Sequence, residues 1–176
     1  HLVLAASSRS AGQELDFRGK NHVVESLDNV QFQGIDLALF SAGSSISREV
    51  VPKVIESGAV VVDNSSAFRM EEGVPLVVPE VNASACHRHQ GIVANPNCST
   101  IQMVLPLEVL NRDPGLNRVV VSTYQSASGA GQAGVDELLL ESQRALNGEP
   151  LEPVIFPHPL AFDVLPQIGS FDQMGY

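Results

Sequence analysis

The sequence is short of cations, cysteine and long apolar runs, and each shortage removes a class of function. Ten Lys and Arg stand against twenty Asp and Glu, for a formal net charge of −10. A protein whose main activity is gripping a nucleic-acid backbone needs clustered Lys and Arg, and no such cluster occurs, so no nucleic-acid partner is expected. The acidity suits solubility and is silent about a local anion pocket. Two cysteines, Cys86 and Cys98, in 176 residues do not make a disulfide scaffold, which points to a reducing cytoplasm. The longest apolar stretches, such as residues 59–62 and 103–107, fall far below the roughly 20 residues that span a bilayer. No charged-then-apolar leader opens the sequence, so a soluble, unexported protein without a membrane partner is expected.

What is present is core-forming material, 44% hydrophobic, enough for a globular fold. Residues 2–6, 35–40, 60–63 and 92–94 read as strands buried on both faces. Between the second and third, residues 45–57 carry Ile46, Val50, Val54 and Ile55 at helical spacing behind a Ser-rich cap. The alternation predicts βαβ units and a parallel sheet. After Asn95-Pro96-Asn97 the texture changes: a helix over about 99–110, a β-prone run over 118–124, a Gly-rich turn at Ser128-Gly129-Ala130-Gly131, and a helix over 135–146 stopped by Asn147-Gly148. A domain boundary is placed there, dividing residues 1–97 from 98–176. Residues 149–166 hold five of the eleven prolines and must be extended or looped. His1 leads straight into an apolar run and Tyr176 follows no polar tail; both ends are expected to be cut.

Cys98 is the sharpest chemical candidate. It lies between a Pro/Asn turn and an amphipathic helix, where unbonded amides and the positive end of the helix dipole suit a sulfur anion and a developing oxyanion. Such a thiolate would attack a carbonyl carbon; the plain alternative is a buried, inert thiol. Cys86 with His87 and His89 does not match zinc-ligand spacing, so no metal is expected, and His158 among prolines reads as a loop histidine.

Five blocks carry more than position. Ser41-Ala42-Gly43, Val62-Asp63-Asn64-Ser65-Ser66-Ala67-Phe68-Arg69-Met70, Val78-Pro79-Glu80-Val81-Asn82, Asn95-Pro96-Asn97-Cys98-Ser99-Thr100 and Ser122-Thr123-Tyr124-Gln125-Ser126-Ala127-Ser128-Gly129-Ala130-Gly131 closely resemble the aspartate-semialdehyde dehydrogenase family, in its order and spacing. The resemblance implies a Rossmann-like parallel-sheet domain, incomplete at its N-terminus, followed by the start of an α+β catalytic and dimerisation domain. It implies NADP- and phosphate-dependent interconversion of L-aspartate 4-semialdehyde and 4-phospho-L-aspartate, with small-molecule substrate and inorganic phosphate as partners and a homodimer or homotetramer as the assembly. Such chemistry belongs to the biosynthesis of lysine through diaminopimelate, methionine and threonine.

The resemblance also assigns residues. Cys98 becomes the nucleophile that forms a thioester, and Arg69 holds the phosphate, for which its planar fork of donors is suited; a surface arginine is the bland alternative. Asn97 either orients the acyl oxygen or makes the turn before the helix. Gln125 matches a substrate-contacting glutamine, and Ser128 and Gly129 a cofactor-contacting pair, where glycine admits a close ligand. Arg9 and Ser10, beyond the first strand, sit where nucleotide-binding folds meet the adenosine ribose, and a cation with a hydroxyl neighbour favours NADP over NAD. Ser41, Ala42 and Gly43, at a strand's carboxyl end, form an expected cofactor-contacting loop.

The family's glycine-rich dinucleotide loop would precede His1, and its catalytic histidine and substrate-carboxylate arginine would follow Tyr176. The 176-residue chain by itself is therefore expected to be inactive. Other readings are a related acyl-phosphate reductase such as N-acetyl-glutamyl-phosphate reductase, from which the 63–70 and 122–131 blocks differ, and a non-catalytic homologue, against which the joint presence of Cys98, Arg69 and Gln125 speaks.

Overall fold

Short runs of branched and apolar residues pair into two small sheets. The computed structural model describes residues 1–169, 171 and 174, with the strands β1 (Leu4–Ala6), β2 (Glu14–Phe17), β3 (Lys20–Ser26), β4 (Leu37–Phe40), β5 (Val60–Asp63) and β6 (Ile92–Ala94). The second sheet, in the order β4-β5-β6, is wholly parallel, as the βαβ reading predicts. Its register sets Phe40 opposite Asp63 and Asp63 opposite Ala94, so the three carboxyl ends are level.

In the first sheet, β1 runs parallel to β3, while β2 and β3 form an antiparallel hairpin. That hairpin escapes the sequence reading. Its turn, Arg18-Gly19, has positive φ at both residues, 53° and 74°, the geometry of tight hairpins, but without the usual Asn-Gly or Asp-Gly signal. Every residue of β2 is exposed, so burial leaves no pattern there either.

Helix α1 (Ser44–Glu56) follows β4 and packs on β5. Ser47, Val50, Val51 and Val54 recur at helical spacing, and all are buried. The valines join Ala59, Val61 and Ile92 in the main core, flanked by Phe32, Ile35, Phe40 and Phe68. Two details correct the sequence reading. The α1 N-cap is Gly43, with no side-chain cap bond; the serine hydroxyls there serve tertiary contacts instead. Strand β4 is not covered on both faces, since Leu37 and Leu39 are exposed at the sheet's edge.

Between β5 and β6 come a short helix α2 (Pro79–Asn82) and a 3-10 segment, Ala83–Arg88. Cys86 packs there against Val77, Ala85 and Val93, as a half-buried core thiol. Helix α3 (Cys98–Arg112) follows β6 and buries none of its residues fully.

The described chain forms two compact units, residues 1–119 and 120–176, so α3 groups with the first. The β-prone run 118–124 is not a strand: Val120 and Tyr124 are exposed, and no described strand pairs with it. Strand propensity gives order only when a neighbour completes the hydrogen-bond ladder. In the second unit, a 3-10 turn (Ala127–Ala130) leads through Gly131, at φ 79°, into α4 (Gln132–Leu146). The proline-rich stretch after it has no regular structure through residue 169 and is tied to α4 by two glutamates. The Glu137 carboxylate accepts from the amides of Val154, Ile155 and Phe156 at 2.9, 2.6 and 3.0 Å. Buried Glu141 accepts from Leu160 and Ala161 at 2.8 and 3.2 Å.

Candidate functional site

Level strand ends place Ser41, Asn64 and Asn95 side by side, each the residue that follows β4, β5 or β6. The backbone ladder continues into them: the Asn64 amide donates to the Phe40 carbonyl at 2.8 Å, and the Asn95 amide to that of Asp63 at 3.1 Å. Their side chains then form a row. Asn95 Nδ2 donates to Asn64 Oδ1 at 2.6 Å, and Asn64 Nδ2 donates to Ser41 Oγ at 3.4 Å. Carboxyl ends of parallel strands are where open α/β sheets receive ligands.

Arg69 locks onto this row. Its Nε donates to the Asn95 carbonyl and its Nη2 to the Asn64 carbonyl, both at 2.9 Å. The guanidinium therefore spans two strand ends, half-buried, with Nη1 uncommitted among the described residues. A fixed guanidinium with donors left over can accept an anion without first being ordered. Ser41, Ala42 and Gly43 are exposed, and Gly43 has φ 86°, a conformation a β-carbon would strain.

Asn95-Pro96-Asn97 carries the chain from the row into α3. Asn97 is the α3 N-cap: its Oδ1 accepts from the Ser99 amide at 3.0 Å and from the Ser99 hydroxyl at 2.5 Å, while its carbonyl takes the Ile101 amide at 2.9 Å. Cys98 is thus the first residue of α3, and it is free and exposed. The thiol is therefore not buried among the described residues. A helix leaves its opening amides without intrahelical acceptors, so the Cys98 and Thr100 N–H groups are left open in the turn of α3 that carries the Cys98 sulfur. Arg69 bonds to the backbone of Asn95, only a proline and an asparagine before the sulfur.

Arg9 lies just beyond β1, exposed and paired with no carboxylate among the described residues, and Ser10 closes a turn by donating to the Ser7 carbonyl at 2.9 Å. The second unit holds the remaining candidates. Gln125 is exposed, its Nε2 3.2 Å from Thr123 Oγ1. Ser126 caps the 3-10 turn by accepting from the Ser128 amide, and Gly129 has open space where a side chain would be. The structure also brings in residues the sequence reading passed over: Asn64 and Asn95 in the row, and a buried cluster of Ser47, Asp63 and Ser65 beneath it. A signal was present, since Asp63-Asn64-Ser65-Ser66 at a strand's carboxyl end is concentrated turn chemistry, but side-chain partners on separate elements are invisible in one dimension.

Comparison with known proteins gives the chain its relatives. Residues 1–89 match the family described as "Semialdehyde dehydrogenase, NAD binding domain", and residues 107–176 match "Semialdehyde dehydrogenase, dimerisation domain". The aspartate-semialdehyde dehydrogenase of Bacillus subtilis (strain 168) is 49% identical over 182 residues, covering 99% of this chain and 53% of that protein. That of Aquifex aeolicus (strain VF5) is 49% identical over 179 residues, with the same coverage. A crystal structure of aspartate semialdehyde dehydrogenase II from Vibrio cholerae, complexed with ASA, superposes with a TM-score of 0.91 at 44% identity, over 99% of this chain and 52% of that one. The chain spans about half the length of the curated relatives it matches. A nicotinamide-binding α/β domain and the beginning of a dimerisation domain are thus in hand, and the chain belongs to the semialdehyde dehydrogenase family.

Proposed function

We propose that this chain is part of an aspartate-semialdehyde dehydrogenase that interconverts L-aspartate 4-semialdehyde and 4-phospho-L-aspartate through a thioester on Cys98, with NADP as cofactor and inorganic phosphate as co-substrate. The observation that carries the reading is an exposed Cys98 at the first position of α3, joined by a short turn to the backbone that Arg69 grips. The names of the relatives, and the bound ASA of the Vibrio cholerae structure, support the substrate.

In the oxidative direction, the Cys98 sulfur adds to the aldehyde carbon and the resulting alkoxide is met by amides at the α3 N-terminus. A bound nicotinamide would supply the hydride acceptor that turns this adduct into the thioester. Arg69 then holds phosphate while a phosphate oxygen attacks the thioester carbon and the Cys98 thiolate leaves. Asn97 keeps the turn and orients the acyl oxygen, and Gln125 contacts the substrate. For the cofactor, Arg9, unpaired among the described residues, fits a 2′-phosphate beside Ser10, and exposed Ser41, Ala42 and Gly43 offer backbone at a strand end; Ser128 and Gly129 are a further proposed cofactor-contacting pair. The functional domains divide at residues 1–97 and 98–176. The complete protein works in the cytoplasm as a homodimer or homotetramer, in the biosynthesis of lysine through diaminopimelate, methionine and threonine.

Reduced-nicotinamide absorbance with the full-length protein, aspartate semialdehyde, phosphate and NADP tests the reading, beside a Cys98→Ala control. Phosphate-dependent NADPH formation that disappears in the control is expected. Turnover that survives the substitution would overturn the assignment of Cys98.

A further inference from the structure

Resting on the reading of Arg69 as the phosphate-holding group, we propose that Asp63 is a positioning residue for the phosphate site, its buried carboxylate fixing the segment that presents Arg69. Asp63 ends β5 with no exposed surface, and no cation pairs with it among the described residues. A carboxylate in that position is costly unless its oxygens are met by donors. They are. Oδ1 accepts from Ser47 Oγ and from the Ser65 amide, both at 3.0 Å, and Oδ2 accepts from Ser65 Oγ at 2.6 Å. Ser47 and Ser65 are themselves buried.

The consequence is geometric. Bonding its own chain two residues on, Asp63 turns the backbone as the strand ends, and the Ser65 hydroxyl extends the turn by accepting from the Ala67 amide at 3.1 Å. That turn contains Asn64, whose carbonyl is one of the two anchors of the Arg69 guanidinium. The Ser47 bond fastens the turn to α1, and Ser44 Oγ lies 2.8 Å from Ser66 Oγ as a second tie. Packing alone does not ask for an acid here, because a fully satisfied buried polar cluster is commonly replaceable by apolar side chains of similar volume. What apolar groups could not do is hold the Asn64 carbonyl in the direction Arg69 needs.

The test compares full-length wild type, Asp63→Asn and Ser47→Ala by steady-state kinetics with aldehyde, phosphate and NADP, together with thermal unfolding. Asp63→Asn keeps the shape. Its amide, however, would present a donor where Oδ2 accepts, leaving the Ser65 O–H without that acceptor. The expected result is an increase in the phosphate KM of about tenfold, equivalent to ~1.4 kcal/mol. The aldehyde KM and kcat should stay within about twofold, because the lost interaction serves phosphate binding. Ser47→Ala should move the phosphate KM in the same direction by less. A lowered melting temperature with unchanged phosphate KM in both variants would overturn the proposal and leave Asp63 a purely structural residue. Should Asp63→Asn fail to fold, Ser47→Ala decides alone, and an unchanged phosphate KM there overturns it. Wild-type activity that ignores phosphate would sink the reading of Arg69 and this inference together, whereas phosphate-dependent wild type with unaltered variants sinks only the inference.

Discussion

Asn97 caps α3, and the proposed function gives the same side chain a second duty, orienting the acyl oxygen. Its Oδ1 caps α3 through Ser99, and removing such a cap typically costs ~1 kcal/mol. Asn97→Ala is therefore expected to lower the unfolding free energy by about that amount in a urea titration. Asn97→Ser retains a capping oxygen but lacks the carboxamide that the proposed orienting role needs. Full stability with a reduced kcat in Asn97→Ser would separate the orienting role from the capping one; full stability with unchanged kcat would leave Asn97 a cap and nothing more. Arg69 differs in kind, since two of its donors are spent on the carbonyls of Asn64 and Asn95. A lysine there has no fork with which to span both, so Arg69→Lys is not a conservative change.

Among the elements, α4 and the chain after it depend on each other. Glu137 sits partly out of water, which works to raise its carboxyl pKa, but three backbone amides outweigh this and hold it below the ordinary 4.5. A carboxyl depressed by folding stabilises the folded state above its unfolded pKa, and that stabilisation is lost as the pH falls through the lower folded value. Glu137→Gln is accordingly expected to melt below wild type near neutral pH, with the gap closing as the pH drops beneath 4.5. A gap independent of pH would mean that the amides value the shape of the side chain and not its charge. The proline content of residues 149–166 announces a loop in the sequence. That α4 supplies the acceptors for that loop was not legible, because Glu137 and Glu141 read as ordinary helix-surface acids until burial and partners are known.

At the scale of the molecule, much apolar surface faces outward. Leu39 and Val109 in the first unit, and Val120, Leu139 and Leu146 in the second, are 64–79% exposed, and α3 has no fully buried residue. Extended apolar surface is a mark of association. The 176-residue chain alone is expected to bind a hydrophobic fluorescent dye strongly and to self-associate in light scattering, and the full-length protein to do neither beyond the proposed oligomer. Weak dye binding by the isolated chain would show that its exposed side chains are too scattered to form patches.

The sequence by itself determined the parallel sheet, α1, α3 and α4, because hydrophobic period and Gly, Pro and Asn punctuation are local properties of the chain. It also pointed to Cys98 at a helix start, since Pro and Asn before an apolar run mark a helix N-terminus in one dimension. It overstated the run at 118–124, whose branched residues need a neighbouring strand, and missed β2 and β3, whose turn lacks the common dipeptides. Only the tertiary structure decided that β4, β5 and β6 end level, that Arg69 bridges Asn64 and Asn95, and that Asp63 is buried among hydroxyls. Those facts depend on strand register and on side chains meeting across elements distant in sequence, and neither is encoded in the period or composition of any single segment.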